Sequence, residues 1–470
     1  MNMMTIILDT KSKTPIYRQL YAYIKNEIQI NNLIYNQKLP SKRKFSEYLG
    51  VSQNTIMTAY TQLMEEGYIS SKEKKGFFVC KAENLEKFEF KNDKLNIAIP
   101  LKDETIDYNF SINTVEHNSF PFSILRKMYK EVIDEEDKTL LQISEVQGLE
   151  ELRVSISAYL HDSRGVNCTA NQIIISSGIE YLVQLIILLL KKNTVFGLEN
   201  PGYEKSRYIL EANLSNILPI QVDSEGMSLG DENINKANVL FLSPSHQFPT
   251  GGIMPINRRI QLINWANNAE NRYIIEDDYD SEFKYSGKPI PSLQGLDTNN
   301  KVIYIGSFSK SLSPTIRISY MVLPKNLLKE YIEKLSFLVC SVPMIEQKVL
   351  HRYISEGYFE RHLNKMRKIY RSKYEILVHC INELNRNIEI KGTDAGLNIL
   401  LKINNGMTEE DLIKSALQNR VKVYGISTYY FDQSNCKKLP NILLGYASMS
   451  EYEIKEAIKC LDKAWFHNVS

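Results

Sequence analysis

One stretch limits what this chain can become more than any other: Val302-Ile303-Tyr304-Ile305-Gly306-Ser307-Phe308-Ser309-Lys310-Ser311-Leu312-Ser313-Pro314-Thr315-Ile316-Arg317. It begins as an apolar, β-branched strand and turns polar at Gly306. It then presents Ser307, Ser309, Lys310 and, seven residues on, Arg317. A lysine amine can form a Schiff base with an aldehyde cofactor. Neighbouring hydroxyls and a guanidinium fork suit a phosphate. A surface loop after a buried strand would carry the same residue types, so partners elsewhere in the chain must decide.

A second anchor is Tyr273-Ile274-Ile275-Glu276-Asp277-Asp278-Tyr279-Asp280-Ser281-Glu282-Phe283, a buried strand ending in carboxylates and a tyrosine. A metal site is one reading of that acidic cluster, but no histidine or second acidic run supports it. Asp278, Asp280 and Glu282 read as solvated or structural. Ile173 to Glu180 is a strand, a small-residue turn at Ser177-Gly178 and the start of an apolar helix. Such a helix N-terminus offers free N–H groups and a favourable dipole to a phosphate. Glu199-Asn200-Pro201-Gly202-Tyr203 is a turn carrying an aromatic ring; among 28 tyrosines, only this context sets Tyr203 apart. Strand and helix patterns alternate from residue 105 onward, as in a mostly parallel α/β sheet. The last hundred residues read as a smaller α+β lobe, with strands over 396–403 and 442–447 and a capping box at Ser450-Glu451-Tyr452-Glu453.

At 470 residues the chain is too long for one ordinary core, so two or more domains are expected. Net charge is +2, yet residues 1–81 carry twelve Lys/Arg against six Asp/Glu, which leaves the remainder at −4. A basic head on a mildly acidic body suits a polyanionic partner. In the head, Thr14-Pro15 predicts a helix start, with the Thr14 hydroxyl as cap and Pro15 at the first helical position, and Leu20, Ile24 and Ile28 follow at helical spacing. Ser41 caps a short helix to Tyr48, Gly50 turns the chain, and Ser52 caps a helix running to about Glu66. Tyr68 to Ser71 and Phe77 to Val79 read as two strands around a basic turn. Two helices about a glycine turn, the second opening with small polar residues, form a helix-turn-helix pattern with a basic wing. Residues 82–104 are charged, weakly periodic and read as a linker. The six cysteines show no paired spacing, which indicates neither zinc nor disulfides and predicts a cytoplasmic, reduced setting. The N-terminus lacks a secretory pattern, and the longest apolar run, Tyr181 to Leu190, is too short to span a membrane.

Residues 13–80, through Leu-Pro-Ser at 39–41 and Leu-Gly-Val-Ser-Gln-Asn-Thr at 49–55, closely resemble the winged helix-turn-helix of the GntR superfamily. Ser-x-Ser-Lys with its downstream arginine resembles the pyridoxal phosphate lysine segment of type I aminotransferases. Ser243-Pro244-Ser245-His246-Gln247-Phe248-Pro249-Thr250-Gly251, with Phe248 where ordinary aminotransferases have asparagine, resembles the MocR/GabR branch of regulators. That resemblance implies an α/β chain in three parts. Residues 1–81 would be a winged helix-turn-helix DNA-binding domain, 82–104 a linker, and 105–470 an aminotransferase-like pyridoxal phosphate domain with a large mostly parallel sheet and a small α+β lobe. It implies a cofactor imine on Lys310, Asp277 against the pyridine nitrogen, Tyr279 on the phenolic oxygen and Tyr203 over the ring. Ser307, Ser309, Arg317, Ser177 and Gly178 would hold the phosphate, and His246 would be structural or at the cofactor's edge. Ser41, Lys42, Arg43, Gln53, Asn54, Thr55, Lys75 and Gly76 would meet an operator in double-stranded DNA.

The function so implied is a transcriptional regulator that senses an amine or amino acid, or pyridoxal phosphate itself, as a head-to-tail homodimer. A working aminotransferase with an appended DNA-binding head is the alternative. The strand Asn441-Ile442-Leu443-Leu444-Gly445-Tyr446 lacks the arginine that binds substrate carboxylates in aminotransferases, and Lys205 stands where a GABA-sensing relative has arginine. Little or no steady-state transamination is therefore expected.

Overall fold

The computed structural model describes residues 6, 8–9, 12–81, 106–285, 291–392, 395–432 and 439–467. The chain divides into two units, residues 1–101 and 102–470. The linker read at 82–104 lies outside the described residues.

In the first unit, helix α1 (Ile16–Gln29) buries Leu20, Ile24 and Ile28 along one stripe. Pro15 takes the N-cap position rather than the first helical one, and no side chain caps this helix. The hydroxyl cap expected from Thr14 does not form; its carbonyl accepts from Gln19 Nε2 instead. Helix α2 (Lys42–Leu49) is capped by Ser41 and ends at Gly50, whose φ of 68° is the left-handed conformation glycine adopts without strain. Helix α3 (Gln53–Glu65) starts at Ser52, whose hydroxyl accepts from the Thr55 N–H at 3.1 Å. Strands β1 (Ile69–Lys72) and β2 (Gly76–Val79) pair antiparallel, with Ile69 opposite Val79. The helices and the hairpin share one core in which the Tyr60 ring lies between Phe45, at 6.4 Å, and Phe77, at 4.9 Å. The Tyr60 hydroxyl is satisfied by the Pro40 carbonyl at 3.0 Å.

The second unit is built on an eight-stranded sheet. In chain order its strands are β3 (Ile173–Ser176), β4 (Val195–Asn200), β5 (Asn216–Asp223), β6 (Gly226–Met227), β7 (Val239–Leu242), β8 (Tyr273–Asp278), β9 (Val302–Ser307) and β10 (Ser319–Val322). The spatial order is β3-β10-β9-β8-β7-β4-β5-β6. From β9 through β8, β7 and β4 to β5 every neighbour is parallel. β10 and β6 enter antiparallel, so the expected parallel sheet is mixed at its ends. Its strands are near-continuous apolar runs because helices cover both faces. Ile275, Ile303 and Ile305 pack with helix α4 (Ile179–Leu189) and helix α5 (Glu204–Ala212), while Ile274 and Val302 pack into the opposite layer. A smaller lobe carries a four-stranded antiparallel sheet of β11 (Ile388–Lys391), β12 (Asn398–Ile403), β13 (Tyr424–Gly425) and β14 (Asn441–Gly445), ordered β11-β12-β14-β13. The capping box at Ser450 forms as read. No helix among the described residues is long and apolar enough to cross a membrane.

Because the head has its own core, it can be unfolded separately. Phe45→Ala removes a ring that is fully buried, which costs about 3–5 kcal/mol. Calorimetry of the full chain should show the head's transition lost or shifted down while the body's transition stays in place. Equal destabilisation of both transitions would contradict two separate cores.

Candidate functional site

β8 ends in three consecutive buried carboxylates, and each meets a different fate. Glu276 accepts the N–H groups of Leu293 and Gln294 at 2.8 and 2.9 Å, with Arg259 nearby at 3.9 Å. Asp278 pairs with the buried Arg164 at 2.8 Å and also accepts from the Tyr304 and Ser281 hydroxyls. Asp277, between them, points to the other face. Its Oδ1 atom is buried and has no partner among the described residues. Burial, with the negative charges of Asp278, Glu199, Asp280 and Glu180 around it, pushes the Asp277 carboxyl up to about 8. Glu199, at the end of β4, is also buried and is pushed up to about 7.

The parallel register sets Asp277 beside Ile305 and Asp278 beside Gly306. Two residues later β9 ends at Ser307, and the turn that follows delivers Lys310 to the same cavity. The cavity has a volume of about 200 Å³, and Lys310, Asp277, Tyr203, Tyr279, Ser307, Ser309 and Arg317 all line it. The Lys310 amine donates to the Ile112 carbonyl. Burial pushes it down to about 8, with Lys205 acting in the same direction and Asp280 against it.

At the other end lies a cationic, hydroxyl-lined corner. Gly178 caps helix α4 with φ of 132°, a conformation that favours glycine, and a Cβ there would also displace the tip of Arg317, whose Nη2 would lie 2.2 Å away. Arg317 itself has φ of 53°, a strained conformation for a side chain of this size. Its guanidinium donates to Glu180 at 2.7 Å. Ser177 and Gly178 are placed differently from the reading above: neither lines the cavity, whose wall here begins at Ile179 and Glu180, and the Ser177 N–H donates to Ser341 Oγ at 2.9 Å.

The wall between these ends is aromatic. Phe248 meets Tyr203, Tyr279 and Tyr429 edge-on at 5.9, 6.3 and 4.7 Å. The Tyr279 hydroxyl is 3.0 Å from His246 Nδ1, and the same nitrogen is 2.9 Å from Asp280. Tyr279 also bonds Asn398. Thus Asp278, read as solvated or structural, is buried and structural, Asp280 is buried against His246 yet lines the cavity, and Glu282 is half-buried and accepts from Tyr159. Lys205, singled out above for its place near Tyr203, does line the cavity, whereas Glu180, Glu199 and Asn398 were missed as wall residues or neighbours of Asp277. Only Glu199 had a signal, since a carboxylate at a buried strand's end before Pro-Gly should face the same edge as Asp277.

In the head, Lys42, Arg43, Gln53, Asn54 and Lys75 are exposed. Arg43 forms an exposed pair with Glu47 at 3.1 Å, which solvent leaves weak and easily exchanged. Ser41 is occupied as the cap of α2, and the Thr55 hydroxyl is 2.9 Å from Ser52 in the cap of α3. Gly76 opens β2 with φ of 104°. The exposed set carries three cations, Lys42, Arg43 and Lys75, and two neutral polar groups, Gln53 and Asn54.

The raised carboxyl of Asp277 has a measurable consequence. A folded-state value near 8, against about 4 when unfolded, means the native body holds a proton that the unfolded chain releases. Stability should therefore fall as pH rises from about 4 to about 8. Asp277→Asn removes this contribution and should stabilise the cofactor-free body by on the order of a few kcal/mol at pH 8, converging with the parent near pH 4. Glu199 would keep part of the slope in both. Denaturant melts across pH test this, and identical slopes in the two proteins would contradict it.

Residues 105–461 match the family described as aminotransferase class I and II, and residues 16–79 match bacterial regulatory proteins, gntR family. The chain is 41% identical over 467 residues to the uncharacterized HTH-type transcriptional regulator YdeL of Bacillus subtilis, covering 98% of this chain and 99% of that one. It is 30% identical to the probable rhizopine catabolism regulatory protein MocR of Rhizobium meliloti, covering 98% and 96%. The body shares its fold with a kynurenine aminotransferase of Pyrococcus horikoshii, with a TM-score of 0.70 at 24% identity over 78% of this chain and 92% of that one. The chain belongs to the MocR/GabR-type transcriptional regulators, in which a gntR-family winged helix-turn-helix is joined to a class I and II aminotransferase domain.

Proposed function

We propose that this regulator binds pyridoxal phosphate in the body cavity and reads an amine or amino acid there, passing the result to DNA held by the head. The observation that carries this reading is the pairing of Lys310 with an unpartnered, buried Asp277 oxygen across one cavity. The residues present fit the group. Asp277 offers a bare carboxylate oxygen for a ring N–H, Lys310 offers an amine, and Arg317 with the Ser307 and Ser309 hydroxyls offers donors for phosphate oxygens. When bound, pyridoxal phosphate supplies an aldehyde that condenses with amines and a ring that accepts electron density.

The chain's own groups do the rest. Asp277 would sit against the ring nitrogen and, by ionising there, hold a proton on it. Lys310, near 8, is about one-tenth neutral at pH 7 and so is nucleophilic before any ligand arrives. Arg317, Ser307 and Ser309 would hold the phosphate, and Tyr203 and Tyr279 would fix the ring's plane. Phe248 and Leu397 give the cavity apolar wall, and the Ile112 carbonyl accepts from the amine. Among the described lining residues, Lys205 is the cation left for an effector's carboxylate once Lys310 and Arg317 are engaged. We infer a head-to-tail homodimer, supported by large apolar side chains left exposed on the body, among them Leu141, Ile143 and Phe337.

Two substitutions separate the halves of this reading. Lys310→Ala should abolish the absorbance change that pyridoxal phosphate produces in the parent, while affinity for duplex DNA without the cofactor stays within about twofold. An unchanged spectrum in the variant contradicts the assignment of Lys310. Assaying the parent with a panel of amino acids separates sensing from turnover: spectral change without accumulating ketoacid supports a sensor, and sustained ketoacid release supports an aminotransferase. Arg43→Ala should weaken binding to a mixed-sequence duplex and lower the slope of log affinity against log salt by about 1. A full slope in that variant would mean Arg43 does not meet a phosphate.

A further inference from the structure

Glu180 stands out in the corner assigned to the phosphate. It lies in the first turn of helix α4, and its Oε2 is 2.7 Å from Arg317 Nη2 while its Oε1 is 4.0 Å from Lys205. The carboxylate also accepts its own backbone N–H. Burial alone would raise its carboxyl, but that N–H, Arg317 and Lys205 overcome burial and hold it below the ordinary range. It is therefore an anion at neutral pH. An anion in contact with a guanidinium fork and the opening N–H of a helix engages the same groups that recognise a phosphate. The space is also tight: a Cβ on Gly178 would lie 2.7 Å from Glu180 Oε2 as well as 2.2 Å from Arg317.

We propose that Glu180 is a built-in competitor for the phosphate seat, so that the pocket takes up pyridoxal phosphate reversibly and its occupancy follows the concentration of the free cofactor. This rests on the reading that the pocket binds pyridoxal phosphate at all. The Glu180 and Arg317 side chains are 38% and 49% exposed, so the carboxylate can swing into solvent. An exposed pair of this kind is weak enough to be exchanged. Swinging away leaves a unit negative charge close to the arriving phosphate dianion, which weakens binding wherever the carboxylate cannot move far. A ligand with the same ring and aldehyde but no phosphate would not meet this competition.

The test titrates full-length protein with pyridoxal phosphate and, separately, with pyridoxal, following quenching of intrinsic fluorescence. Glu180→Gln keeps the shape and removes the charge. It should bind pyridoxal phosphate about tenfold or more tightly than the parent and bind pyridoxal equally well. Glu180→Ala should behave the same way. A role confined to packing would instead weaken both ligands together. Equal or weaker affinity for pyridoxal phosphate in both variants, with clear binding by the parent, overturns the competition and leaves the pocket reading intact. Binding of neither ligand by the parent or by Glu180→Gln overturns the pocket reading and this inference with it.

Discussion

Parallel pairing of β8 with β9 is the constraint on which the pocket depends. The register places Asp277 beside Ile305, so the carboxylate strand and the lysine strand end at one edge of the sheet. Side chains alternate along β8, and a slip of one residue would exchange Asp277 with its neighbours. The neighbours resist that exchange. Asp278 is held by Arg164, Tyr304 and Ser281 on the opposite face, and Glu276 by two backbone N–H groups. A buried ion pair is a weak source of net stability, but breaking one is costly, which makes it a good register device. Two satisfied acids thus fix the position of a third that is left unsatisfied.

That third acid and Lys310 are perturbed in opposite senses. Burial favours the neutral form of each: the carboxyl is driven up to about 8 and the amine down to about 8. Asp277 sits among acids that all oppose its ionisation, while the cavity's cations, Lys310, Lys205 and Arg317, are absent from the charges that act most on it. Perturbed groups of this kind, converging on one cavity, mark functional sites. In the proposed reading, a ring bearing a protonated nitrogen and an anionic tail would satisfy Asp277 at one end and Arg317 at the other. The aromatic wall of Phe248, Tyr203, Tyr279 and Tyr429 supplies the flat, dry surface between them.

Much of this was legible in the residues. The head's three helices and hairpin followed from caps at Ser41 and Ser52, the Gly50 turn and the Leu20–Ile24–Ile28 stripe, all local signals. The strand ending at Asp277 and the one ending before Lys310 were visible as apolar runs, because a sheet covered on both faces needs them. Less local features were not visible. Thr14 fails to cap because Pro15 occupies the N-cap, a shift of one residue that propensity does not resolve. The antiparallel entry of β10 depends on chain return rather than on residue type. Ser177 was read into the phosphate corner from its place beside Gly178, but Ser341 takes its N–H from 164 residues away in sequence. Glu180 was hidden by the same logic: an acid in a helix's first turn is ordinary, and only Arg317, brought over by the fold, gives it meaning.

The account stands or falls on whether one amine, among many exposed lysines, reacts with pyridoxal phosphate because the fold has set it opposite Asp277. Full-length protein treated with pyridoxal phosphate, reduced with borohydride, digested and mapped by mass spectrometry answers this directly. The account predicts a reduced pyridoxyl group on the peptide containing Lys310 at one per chain, with other lysines modified only as excess reagent is raised. A label spread over surface lysines, or concentrated elsewhere with Lys310 untouched, would contradict it.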